Sequence, residues 1–211
     1  MNNSVKFKVE QNVGFIEFDQ PDSKVNVLNT RTMIEIENIL GQIEKEQNLK
    51  GVIITSAKEN IFIAGADIKE IENITDVSEG ENKSITGQKI FNKLEGLRIP
   101  TIAVINGAAL GGGLELAMAC KYRVGTFNEK IKLGLPEVQL GILPGFGGTY
   151  RLPKLVGLKK SLDMILTGKT VSSSAGLKAG LLDRLYPEKI LISETLNFLN
   201  EIIEKKVAVR K

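Results

Sequence analysis

Residues 99–152 restrict the fold more than any other stretch of this chain. They open on Thr101-Ile102-Ala103-Val104-Ile105, apolar with no polar alternation, which is the pattern of a strand buried on both faces. Gly107-Ala108-Ala109-Leu110-Gly111-Gly112-Gly113 follows and reads as a glycine-rich turn, and Leu114-Glu115-Leu116-Ala117-Met118-Ala119-Cys120 reads as a helix. A helix start free of side chains offers unpaired N–H groups and the positive end of the helix dipole. Those donors suit a phosphate or a developing oxyanion. Glu115 falls about one turn inside that helix, among Leu114, Leu116, Ala117 and Met118. Such apolar surroundings are expected to raise its pKa and fit it for proton transfer near neutral pH. A second carboxylate arrives in Gly134-Leu135-Pro136-Glu137, and the stretch closes on Pro144-Gly145-Phe146-Gly147-Gly148.

Two absences limit the chemistry further. The 211 residues contain no histidine, which removes Ser-His-Asp and Cys-His nucleophiles, His-ligated metals and histidine bases together. There is one cysteine, Cys120, so no internal disulfide and no cysteine-rich zinc site. Cys120 reads as a small core residue in an apolar helix. Acid–base work therefore falls to Glu, Asp, Lys, Tyr or backbone. A net charge of +3, with no basic block, gives little reason to expect a nucleic-acid partner. Met1-Asn2-Asn3-Ser4-Val5-Lys6 lacks the apolar run of a signal peptide, and no apolar run approaches the length of a membrane span. A cytoplasmic location is the expectation.

The remaining chain alternates strands and helices. Val5 to Val9 and Val13 to Phe18 read as a hairpin turning at Gln11-Asn12. Asn29 can cap a helix whose apolar positions are Met33, Ile36, Leu40 and Ile43. Val52-Ile53-Ile54 is a short buried strand, and a helix is expected to start near Ala66. Residues 73–83 are polar, include Gly80, and read as a mobile loop. Ile90, Phe91, Leu94 and Leu97 mark a helix ending before Pro100. Tyr122 to Gly125 and Lys132 to Gly134 read as strands. Short helices are expected over 149–156, 159–166 and 173–178, then a strand entry over 180–185 and a final helix over 190–203. The alternation makes the class α/β with right-handed crossovers.

Two familiar fingerprints fail. Gly168-Lys169-Thr170 resembles the end of a phosphate-binding P-loop, but the required earlier glycine is Asp163. Gly145-Phe146-Gly147-Gly148 is not a dinucleotide signature, because the last glycine falls at Tyr150. A different match covers nearly the whole chain. Phe62-Ile63-Ala64-Gly65-Ala66-Asp67, then Asn106-Gly107 through Gly113-Leu114-Glu115, then Pro136-Glu137 through Gly141-Ile142-Leu143-Pro144-Gly145-Phe146-Gly147-Gly148-Thr149 resemble the crotonase (enoyl-CoA hydratase/isomerase) family. Ser23-Lys24-Val25-Asn26-Val27-Leu28, Arg151-Leu152-Pro153 and Leu166-Thr167-Gly168 are similar to one subgroup, the hydratase domain of multifunctional fatty-acid β-oxidation α-subunits.

The resemblance implies a ClpP/crotonase-like spiral of ββα units that binds an acyl-CoA thioester. It implies an oxyanion hole from the backbone N–H groups of Ala66 and Gly112. Glu115 would activate the water that adds to a trans-2-enoyl-CoA, and Glu137 would deliver a proton to the α-carbon. Ala64, Ala66, Asp67, Ile68, Lys69 and Gly112 would line the substrate site. Asp67 also reads as a helix cap, and Lys69 as either a solvated lysine or a contact to a CoA phosphate. No metal or separate cofactor is expected, since coenzyme A belongs to the substrate.

Two alternatives remain open: an enoyl-CoA isomerase or other crotonase-family reaction, and a non-catalytic, truncated assembly module. Residues 1–189 are expected to form the acyl-CoA-binding catalytic domain. Residues 190–211 are expected to be a C-terminal helix that starts a region not included. Expected partners are further copies in a trimer-based oligomer or, in a multifunctional chain, a dehydrogenase domain and a thiolase β-subunit.

Overall fold

The computed structural model describes residues 3–207. The chain begins with the hairpin β1 (Val5–Glu10) and β2 (Val13–Phe18), turning through Gln11 and Asn12. Both turn residues have positive φ, 49° and 64°, as a two-residue hairpin joining right-twisted strands requires. Helix α1 (Thr30–Ile43) starts from Asn29, which forms a reciprocal capping box with Thr32. Then come β3 (Gly51–Ser56), β4 (Ile61–Ile63), α2 (Ile68–Glu72), α3 (Val77–Glu95), β5 (Thr101–Ile105), β6 (Ala108–Leu110), α4 (Gly112–Ala119), β7 (Tyr122–Thr126) and β8 (Leu133–Gly134). A 3-10 helix (Pro136–Leu140), α5 (Gly148–Val156), α6 (Leu158–Thr167), α7 (Ser173–Ala179), β9 (Arg184–Tyr186) and α8 (Leu191–Ile203) complete the chain.

Two sheets organise these elements. The larger has strand order β1-β2-β3-β5-β7-β9, and only β1 runs antiparallel to its neighbour. The smaller, β4-β6-β8, is parallel throughout. Each turn of the chain lays one strand on the large sheet, one on the small sheet, and then one or more helices. The pairs β3-β4, β5-β6 and β7-β8 make this the ββα spiral that the resemblance implies. All five residues of β5 are buried, as their unbroken apolar run predicts. One core cluster fills the space between the sheets and the helices, and a second covers the other face of the large sheet. Helix α8 belongs to that second cluster through Leu191, Phe198, Leu199 and Ile202, with Phe198 edge-on to Tyr122 at 5.4 Å between ring centroids.

The local readings need three corrections. Residues 73–83 are not a mobile loop: α3 starts at Val77, capped by Asp76, which accepts from the Ser78 N–H. The first turns of α3 bury nothing before Gly87, so they carry no apolar period from which a helix could be read. The glycine-rich turn contains β6, which is three residues long and recognisable only by its pairing with β4 and β8. The helix expected near Ala66 starts at Ile68, with Asp67 as its cap.

Parallel strands of one sheet end on the same edge. The residues that follow β4, β6 and β8 therefore emerge together, and this is where ligands sit in open parallel sheets. Asn26 secures that edge from below. It is 1% exposed, its Nδ2 lies within 3.2 Å of Phe18 O, Ser56 Oγ and Phe62 O, and its Oδ1 accepts from the Gln20 N–H at 2.9 Å. Its own carbonyl accepts from the Ala64 N–H. Asn26→Ala strips several buried groups of partners and is expected to cost about 3 kcal/mol. Chemical denaturation would show it as a lower midpoint at an unchanged slope. Among the described residues, no helix is long and apolar enough to cross a membrane.

Candidate active site

The site is assembled at the start of α4. Its cap residue Gly111 has φ 49° and no side chain to cover the first turn. A Cβ there would stand 3.0 Å from Glu137 Oε1 and 3.7 Å from Gly65 Cα. The carboxylate that follows β8 and the loop that follows β4 thus converge on the turn that follows β6. Gly112 is the first residue of α4, so its N–H precedes the first helical hydrogen bond, from Glu115 N to Gly111 O. Ala66 forms a parallel bridge with Leu28, in which Leu28 N donates to Gly65 O and Asp67 N donates to Leu28 O. In that ladder geometry the N–H of Ala66 points away from Leu28. Among the described residues, neither the Ala66 nor the Gly112 N–H has an acceptor.

The two glutamates occupy different surroundings. Glu115 is 1% exposed, and its Oε1 accepts from Phe146 N–H at 2.8 Å and Gly148 N–H at 2.7 Å. Burial pushes its pKa up to about 7, and Glu137 adds to the rise. The two N–H donors and Arg151 oppose it. Glu137 is half-buried in the 3-10 helix, and burial raises its pKa as well. Its Oε2 is buried with no hydrogen-bond partner. Backbone N–H bonds oppose the rise at both: those of Phe146 and Gly148 at Glu115, and its own N–H at Glu137. The arrangement can take a proton at one glutamate and give one at the other.

The remaining sequence candidates lie along one rim. Ala64 follows β4 and is tied to Asn26, Ala66 follows Gly65, which lies against the Gly111 turn, and Asp67 caps α2 by accepting from the Lys69 N–H at 3.0 Å. Ile68 and Lys69 lie further out and are exposed. Lys69 makes no ion pair among the described residues. The sequence reading missed the Phe146 and Gly148 N–H groups as partners of Glu115. Their signal was the glycine itself: a Cβ at Gly148 would stand 2.9 Å from Glu115 Oε1, so the close approach requires glycine there. The reading also left Arg151 and Glu95 without a role.

Comparison with known proteins bears on the family and the fold. Residues 8–211 match the family model described as enoyl-CoA hydratase/isomerase. The chain is 46% identical over 183 residues to the fatty acid oxidation complex subunit alpha of Vibrio campbellii, covering 87% of this chain and 26% of that protein. It is 44% identical over 192 residues to the protein of the same name from Vibrio parahaemolyticus, covering 91% of this chain and 27% of the relative. The chain thus spans about a quarter of the length of these relatives. Among solved structures, an enoyl-CoA hydratase from Geobacillus kaustophilus superposes with a TM-score of 0.90 at 30% identity, over 96% of this chain and 75% of the other. One from Bacillus anthracis gives 0.87 at 34% identity, over 95% and 76%.

Proposed function

We propose that this chain, which belongs to the enoyl-CoA hydratase/isomerase family, adds water across the trans-2 double bond of an enoyl-CoA thioester. The observation that carries the reading is the pair of unequally partnered glutamates beside two unused backbone donors. In this scheme the N–H groups of Ala66 and Gly112 hold the thioester oxygen. Ionised Glu115 takes a proton from water as the water oxygen bonds to the β-carbon. The double-bond electrons move toward the thioester and form an enolate, whose oxygen the two donors stabilise. One such donor is worth about 3 kcal/mol of barrier. Protonated Glu137 then gives its proton to the α-carbon. Every proton is handled by a carboxylate or by water, so the scheme needs no cofactor beyond the coenzyme A on the substrate. In the same scheme Lys69, which is exposed on the outer rim, meets a CoA phosphate as a mobile point charge.

A double-bond shift needs only one carboxylate that can both donate and accept, and the orphaned Glu137 Oε2 supports it as a side activity. The names of the Vibrio relatives support a role in fatty acid oxidation within a larger assembly. We place this chain there as the hydrating unit, with a dehydrogenase and a thiolase as the activities that would consume its product. The test is the absorbance of the conjugated enoyl thioester when the chain meets crotonyl-CoA. A decay that vanishes in the Glu115→Gln/Glu137→Gln protein supports hydration at this site. A folded wild-type chain that binds crotonyl-CoA without consuming it overturns it.

A further inference from the structure

Glu115 is held by a loop, and the loop is held by an ion pair. The Phe146 carbonyl accepts from Arg151 Nη1 at 2.9 Å. Arg151 is 4% exposed, and its guanidinium is well partnered: Nε and Nη2 donate to Glu95 Oε2 at 2.9 and 2.8 Å, and Nη2 also donates to Asn92 Oδ1 at 2.6 Å. Glu95 and Asn92 stand on the last turn of α3, so the brace runs from α3 through Arg151 on α5 to the 146–148 loop. Gly147 has φ 102°, and a Cβ there would stand 2.3 Å from Arg151 Nη1. The turn that aims the Phe146 and Gly148 N–H groups at one oxygen is thus the same turn that admits the guanidinium. The Phe146 ring seats the loop from the other side, edge-on to Phe91 at 5.5 Å.

We propose that Arg151 and Glu95 are positioning residues for Glu115. The guanidinium fixes the Phe146 carbonyl, so the Phe146 and Gly148 N–H groups both point at Oε1. Oε2, which neither donor uses, is left to meet the water. Arg151 also sets the charge behind Glu115, and Glu95 sets how much of that charge is felt. The charged groups that bear on Glu115 are Glu137 from the 3-10 helix and Arg151 from α5, with Glu95 acting through Arg151. A cavity of about 510 Å³ lies against the outer side of the brace, lined by Gln88, Asn92, Glu95, Gly147, Tyr150 and Arg151 among others. Neither glutamate of the active site lines it, so Glu95 can be altered from that side without entering the cleft.

The proposal rests on Glu115 being the base, but its test does not. The carboxyl of Glu115 is titrated directly by carbon-13 NMR of glutamate-labelled protein, with Glu115→Gln assigning the resonance. Arg151→Gln removes the cation and is expected to move the Glu115 midpoint up by about one pH unit. Glu95→Gln leaves the cation unneutralised and is expected to move it down. Loss of packing alone would move both variants the same way. Opposite shifts, with the acid limb of the hydration rate following them, support the brace. Unchanged midpoints, or shifts of one sign, overturn it. If Arg151→Gln fails to fold, Glu95→Gln decides alone by the direction of its shift. Normal hydration by Glu115→Gln would overturn the base assignment while leaving the titration result standing.

Discussion

Glu115→Gln is expected to slow hydration of crotonyl-CoA by about a thousandfold, the scale of a lost general base, while making the protein more stable at alkaline pH. The amide keeps an oxygen for the Phe146 and Gly148 N–H groups, so the loop stays in place. It cannot take the proton of water. The stability gain follows from the carboxyl pKa, about 7 in the fold against an ordinary value of 4.5. Between those values the folded state binds more protons than the unfolded state, so wild-type stability falls as pH rises through that window and levels off above it. The full difference is about 3 kcal/mol. The variant lacks this loss. Urea unfolding at pH 5 and pH 9 should therefore show the wild type weakening relative to the variant, and equal weakening of both would contradict the assigned burial of charge. Activity and stability are opposed at this residue.

Glu137→Gln is expected to remove about as much hydration, and unlike the first substitution it should also remove the chemistry that needs no water. Exchange of the α-protons of a saturated acyl-CoA in heavy water requires only an oxyanion hole and one group at the α-carbon. In the proposed arrangement that group is Glu137, because its carboxylate stands over Gly111 and its Oε2 is unpartnered. Glu115→Gln should leave the exchange within about tenfold of normal, while Glu137→Gln should lower it about a thousandfold. The double-bond shift should follow the same split. If both variants exchange at the wild-type rate, the α-carbon is served by neither glutamate and the division of roles fails. The comparison separates the two readings of this family better than hydration alone, since hydration is expected to need both groups.

Much of this site was legible because its chemistry is written locally. Gly111 and Gly112 leave a helix start uncovered, and the apolar residues around Glu115 foretell a raised pKa. The class was legible from β5, whose five apolar residues allow no exposed face. The failures share a cause. The first half of α3 faces solvent, and β6 is a strand only because β4 and β8 lie beside it. Neither leaves a periodic trace in its own residues. Arg151 was passed over because its partners are on α3 and on the 146–148 loop, brought to it by packing.

By itself the sequence determined which groups are available: no histidine, two glutamates that follow glycine or proline turns in largely uncharged segments, and glycines where backbone must approach backbone or carboxylate. These are properties of single residues and their neighbours, and they hold before the chain folds. Only the tertiary structure decided that the groups come together. The strands β4, β6 and β8 run parallel, so the loops bearing Ala66, Gly112 and Glu137 leave the small sheet at one edge although up to 71 positions separate them in the sequence. The difference between the two glutamates was decided there too. Two N–H groups from a distant loop hold one carboxyl, whereas the other keeps a buried Oε2 without a hydrogen-bond partner.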